Sequence, residues 1–331
     1  MNKITFKSDG YDPFIDFLKG VCILWVVLTH AFNQELHDYS LFCLWGDMAV
    51  PMFLLIQCIH VYKKDDRPAP INWRKIWSRI LVPFISVELI ILMVGLFAYY
   101  VANKSITDFI SNFFSQGGIG RGSYYPKMYI EFAFMIPLFY PMLKRNTKVM
   151  GGVVILFSCI FETFFSYYDY YVLWQWICFR YIFIIVLGYI VAKKGVVLNM
   201  KTCFFSGISI IAILVFQYSN KTFEPLFYNN PWTIFHWPIY CYVAFLLLYI
   251  MRFSYRILPI NIKDYLMHMG KYSYEIFLFQ MLVFFVTDLF LRSRAESHGL
   301  IFYFIYVFFV TMVSITPVVW YKHSQNVTRS K

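Results

Sequence analysis

The chain has 331 residues, of which 60% are hydrophobic, 22% aromatic and only 14% charged, and its mean hydropathy is +0.58. That balance excludes a soluble globular domain and predicts an all-α polytopic integral membrane protein. The formal charge of +11 does not point to nucleic acid, because Lys and Arg sit in short clusters between apolar runs, as membrane-protein loops do. The seven cysteines form no CxxC or Cys/His spacing, so neither a metal site nor a disulfide framework is expected.

In chain order, the first apolar run begins near Phe14 and is long enough to span, so it is expected to stay as the first helix rather than be removed as a signal peptide. About ten spans are predicted, near 14–34, 41–62, 80–102, 124–143, 149–166, 171–192, 202–219, 232–251, 272–292 and 300–320, with a short surface helix or lid at 106–116. Alternate loops hold 21 of the 29 Lys and Arg, and the opposite set holds 6. By the positive-inside rule both termini are then cytoplasmic.

The stretch Asp16 to His30 carries an acid and a base near its start and a histidine near its end. Lys19 and His30 are eleven positions apart, which returns them to nearly the same helical face about 16 Å apart along the axis. Ionisable groups stacked on a membrane-length helix face the protein interior or a wet cavity. The bland alternative is snorkelling of both to the headgroups. With the orientation above, Asp47, Glu131 and His236 lie on the outer side with His30, Glu88 and Glu275 lie on the inner side, and Arg180 is near mid-membrane. Such numbers of buried charges predict an internal polar cavity, although a structural pair of Glu131 or Glu88 with Arg180 would also account for one of them. The loop before the third span supplies Arg74, Lys75 and Arg79 at the cytoplasmic interface, among tryptophans that suit anchoring and guanidinium groups that suit phosphates. Residues 117–125, GGIGRGSYY, match no phosphate-binding pattern and read as a mobile outer loop.

These residues resemble the membrane-bound acyltransferase-3 family. Lys19, ten residues and His30 are similar to its first-helix signature, VPMFLLIQCIHVYKK at 50–64 to its second-helix pattern, and WRKIWSRILVPF at 73–84 to its basic stretch ending in proline. Arg180 to Gly188 and GKYSYEIFLFQMLV at 270–283 resemble two later motifs, although Gln57-Cys58 stand where Ser-Gly is usual and Gln280 replaces a common histidine. The resemblance implies a single acyltransferase domain over 1–331, in the cell membrane, moving an acyl group from a cytoplasmic acyl-CoA to a carbohydrate or glycolipid hydroxyl that faces outward. Acetyl-CoA is then a donor substrate, with no resident cofactor. His30, Lys19, Asp16 and Glu131 make up the expected catalytic set, and Arg74, Lys75, Arg79, Arg180, Asp47 and His236 the expected substrate and donor contacts. Histidine titrates near neutral pH and so suits deprotonation of a sugar hydroxyl. A transporter or flippase for a glycan or lipid is the rival reading, because buried charges in a many-span bundle serve that function equally.

Overall fold

The computed structural model describes residues 3–6, 11–63, 71–102, 105–116, 118, 120–168, 174, 177–218 and 235–329. Among them helices are joined by short turns and connecting segments, and the β-structure is one isolated bridge in which Ile4 and Val196 exchange backbone hydrogen bonds, both 2.8 Å.

Local chemistry sets where the helices begin and end. Helix α1 (Pro13–Ala31) has proline in its first turn, and the Asp12 carboxylate accepts from the Phe14 N–H. The short α2 (Gln34–Tyr39) is capped by Asn33 through the Leu36 N–H, and a 3-10 turn (Phe42–Leu44) leads into α3 (Ala49–Tyr62). The next helix is continuous from Trp73 to Val101, built as α4 (Trp73–Ile76), a π-helical turn (Trp77–Leu81) and α5 (Val82–Val101). Pro83 has no N–H for the carbonyl four residues back, and the backbone widens at that point. The Tyr274 hydroxyl donates to the Ile80 carbonyl in this turn at 2.8 Å. Helix α6 (Ile106–Gln116) occupies the range expected of the surface helix.

Helix α7 (Tyr124–Tyr168) contains a break at Asn146, whose backbone is far from helical (φ −155°, ψ 93°) and whose side chain accepts from the Val149 N–H. The two spans expected at 124–143 and 149–166 thus meet at an asparagine rather than across a loop. A 3-10 turn (Cys178–Tyr181) precedes α8 (Ile182–Lys194), which stops at Gly195 with φ +69°. Then come α9 (Met200–Tyr218), a 3-10 turn (Trp237–Ile239), a π-helical stretch (Tyr242–Leu247), α10 (Leu248–Ile257), α11 (Ile260–Lys271), α12 (Ser273–Phe290), α13 (Arg292–Ser297) and α14 (Leu300–Arg329). The starts of the spans expected at 171 and 232 lie outside the described residues. Among the described residues, eight helices are long and apolar enough to cross a membrane; the broken α7 counts once, and the 13-residue α8 is too short to count.

Burial separates the centre from the rim. The spans containing α1 and α3 are buried over 67% and 72% of their apolar windows, whereas Trp73–Val101 and α9 are buried over 17% and present Leu, Ile and Phe outward. Hydrophobic side chains on the outer faces of these helices suit lipid. The inner helices meet closely through small residues. A Cβ on Gly20 would stand 1.9 Å from the Leu266 carbonyl oxygen, and one on Gly270 would stand 1.7 Å from the Asp16 carbonyl oxygen. Helices α1 and α11 therefore touch backbone to backbone next to Lys19, and α3 meets α8 where Gly188 faces Cys58.

Candidate active site

One cavity of about 760 Å³ runs beside α1 from Lys19 to His30. At one end its walls carry Lys19, His60, Lys75, Arg79 and Lys271; at the other they carry His30, Gly122, Tyr125 and Phe277. Gln57 and Tyr129 line it between the two. The stripe read from the sequence thus faces a single continuous space. Lys19 is also held by Asp16, one turn earlier, at 3.0 Å.

His30 sits at the last turn of α1, where backbone carbonyls have no intrahelical donor. Two guanidinium groups and a phenol supply the donors. Arg121 bonds the His30 carbonyl while gripping Asp288 with both prongs, 2.7 and 2.9 Å, and stacks over Phe284 at 5.2 Å. Arg292 donates to the same carbonyl at 3.2 Å, and the Tyr303 hydroxyl donates to the Ala31 carbonyl at 2.6 Å. Cations at a helix C-terminus also match its dipole. The imidazole lies edge-on to Phe284, with ring centroids 5.8 Å apart. Gly122, at φ +88°, puts no side chain beside its Nε2: a Cβ there would stand 3.5 Å from Nε2 and 2.9 Å from Phe277.

The stretch 117–125, expected to be a mobile outer loop, instead packs onto the site, at least at residues 118 and 120–123. Gly118 and Gly120 are buried, and Gln280 donates to the Arg121 carbonyl at 3.3 Å. Gln280 is thus a clamp on this loop at the position where the resembled family commonly has histidine. Gln57, the other departure, donates to the Tyr129 carbonyl at 3.1 Å and keeps its Oε1 without a protein partner.

The expected site residues divide accordingly. His30, Lys19, Lys75 and Arg79 line the cavity, and Asp16 touches it through Lys19. Arg74 is exposed and does not line it. Glu131 accepts from the Cys178 N–H at 2.7 Å and lies 3.9 Å from Lys127, so it fastens the turn before α8 and stands outside the cavity. Asp47 bonds His37 of α2 at 2.7 Å, and His236 bonds Glu162 at 2.9 Å in a fully buried pair. Burial pulls the titration of His37 down, but the bond and charge of Asp47, reinforced by Asp38, outweigh it and raise the group above its ordinary value. Arg180 is buried at the start of α8 and makes no ion pair with Glu131 or Glu88, contrary to the structural pairing considered above. Its guanidinium carbon lies 4.6 to 5.8 Å from the ring centres of Trp174, Tyr181, Tyr124 and Phe235. The sequence reading missed Arg121, Asp288 and Lys271. Only the isolated arginine in a glycine run hinted at the first of them.

The architecture is that of a multi-pass helical membrane protein whose first helix carries a cation and a histidine into one internal cavity. A family model described as an acyltransferase domain matches residues 12–320, and the chain belongs to that family, the acyltransferase-3 group of membrane acyltransferases. No match was found among curated proteins or solved structures.

Proposed function

We propose that this acyltransferase takes an acetyl group from cytoplasmic acetyl-CoA and places it on a hydroxyl of a carbohydrate or glycolipid that faces the other side of a cell membrane. The observation that supports this reading is the one cavity joining a cluster of five basic side chains to His30. The donor's phosphates sit on Lys19, Lys75, Arg79 and Lys271, and Gln57 Oε1 accepts from an amide N–H of the pantetheine arm. The thioester then reaches His30. There the acceptor hydroxyl attacks the thioester carbonyl, His30 takes the hydroxyl proton, the C–S bond breaks, and the departing CoA sulfur takes that proton from His30 to leave as the thiol. Asp16 keeps Lys19 placed at the donor end rather than acting on the acceptor.

The test is acyl transfer from labelled acetyl-CoA by purified protein. His30→Ala should lose about 10² to 10⁴ of the turnover, the usual size of general-base catalysis, with its size-exclusion profile unchanged. A folded His30→Ala enzyme with wild-type turnover overturns the assignment. Transport of a glycan without transfer of label would favour the flippase reading.

A further inference from the structure

The Arg180 surroundings are not explained by the donor path or by His30. A guanidinium taken out of water is costly unless a counter-charge or hydrogen-bond acceptors replace the lost hydration. Arg180 is 4% exposed; among the described residues it has no carboxylate partner, and its Nε is buried without a hydrogen-bond acceptor. Three of the described carboxylates, on elements around it, are engaged elsewhere: Glu131 on the Cys178 N–H, Glu162 on His236 and Asp47 on His37. Among the described residues, aromatic rings lie around the guanidinium, Trp174 nearest of them at 4.6 Å. The following residue, Tyr181, whose ring centre is 4.8 Å from the guanidinium carbon, also has its hydroxyl buried without a hydrogen-bond partner. A cation and a hydroxyl donor from consecutive residues, each with a buried polar atom that finds no hydrogen-bond partner among the described residues, are the donor set for an oxyanion.

Position ties this pair to the reaction. Tyr124 is a shared wall: it lines the cavity that holds His30, and its ring centre is 5.5 Å from the Arg180 guanidinium. The pair lies where α8 begins, at the end of the bundle that holds His30 and away from the basic cluster at Lys19. We infer that Arg180 and Tyr181 form an anion subsite for the acceptor, which therefore carries a carboxylate or phosphate beside the sugar to be acylated, its ring packed on Tyr124. This rests on the acyltransferase reading for the word acceptor, but the anion site itself does not.

The experiment is ligand titration of the full-length purified protein, read by tryptophan fluorescence and thermal shift, with glucuronate, glucose and inorganic phosphate as probes. Glucuronate or phosphate should give a saturable response and glucose none. A response to glucuronate alone identifies a carboxylate sugar, and one to phosphate alone identifies a phosphate-bearing carrier. Arg180→Gln should abolish the response, and Tyr181→Phe should weaken it several-fold, while His30→Ala keeps it. Trp174→Phe should remove most of the fluorescence component and leave the thermal shift. No saturable anion response in the wild-type protein overturns the proposal even where Arg180→Gln fails to fold. A response that survives in folded Arg180→Gln overturns it too, because the basic cluster at Lys19 then accounts for the binding. Retained anion binding in an inactive His30→Ala separates this outcome from that of the catalytic assignment.

Discussion

His30 is held by its backbone rather than by its ring. Arg121, Arg292 and Tyr303 fix the carbonyls around it, so none of these bonds occupies the imidazole that lines the cavity. None of these three contacts was legible in the sequence, because each joins positions about 90 to 270 residues apart and glycine-rich runs carry no periodicity to read. Lys19 and His30 were legible, because a helix converts their spacing directly into a shared face. A second histidine, His37 of α2, acts on stability. The folded titration of His37 is raised above its ordinary value by Asp47, so its contribution is fully present below about pH 6.5 and is lost as pH rises through the folded value. The wild-type melting temperature in detergent should therefore fall between pH 6 and 8 by more than that of His37→Gln. Equal slopes for the two proteins would show that the His37–Asp47 contact contributes nothing.

At the scale of elements, α1, α6, α9 and α12 lie close to ranges expected from the sequence, whereas α2, α11 and α13 were not expected as helices at all. What it could not supply was how the helices join and approach. The break at Asn146 was invisible because a polar cluster between two apolar runs reads as a loop whether or not hydrogen bonding resumes at once. The crossing of α1 over α11 was invisible because a lone glycine in an apolar helix is tolerated for many reasons. At Gly20 and Gly270 the reason is contact between main chains, which no side chain can relax. Gly270→Val and Gly20→Val should each cost at least the 1 to 3 kcal/mol, roughly, of an overpacked core and lower the yield of folded protein, whereas Gly152→Ala, which meets nothing within 4 Å, should be silent. Wild-type yield and melting temperature for Gly270→Val would refute the close crossing.

For the whole molecule, the reading of ten passes with cytoplasmic ends makes a direct prediction. In a Cys203→Ser background, which removes the exposed native thiol, cysteines placed at Tyr39 and at Lys194 should react with impermeant reagent from opposite sides of the membrane. Reaction of both from one side would overturn the arrangement. The order of synthesis adds a constraint. Helix α1 is made first, yet its closest neighbour α11 and two of the groups that cap its end, Arg292 and Tyr303, are made last. At 5 to 20 residues per second, about 250 residues of further synthesis leave α1 waiting roughly 12 to 50 s for them. Throughout that wait a lysine embedded in the first helix would be exposed to lipid without its final surroundings. The Asp16–Lys19 bridge lies within a single turn of the same helix, so α1 carries its own counter-ion from the moment it is inserted.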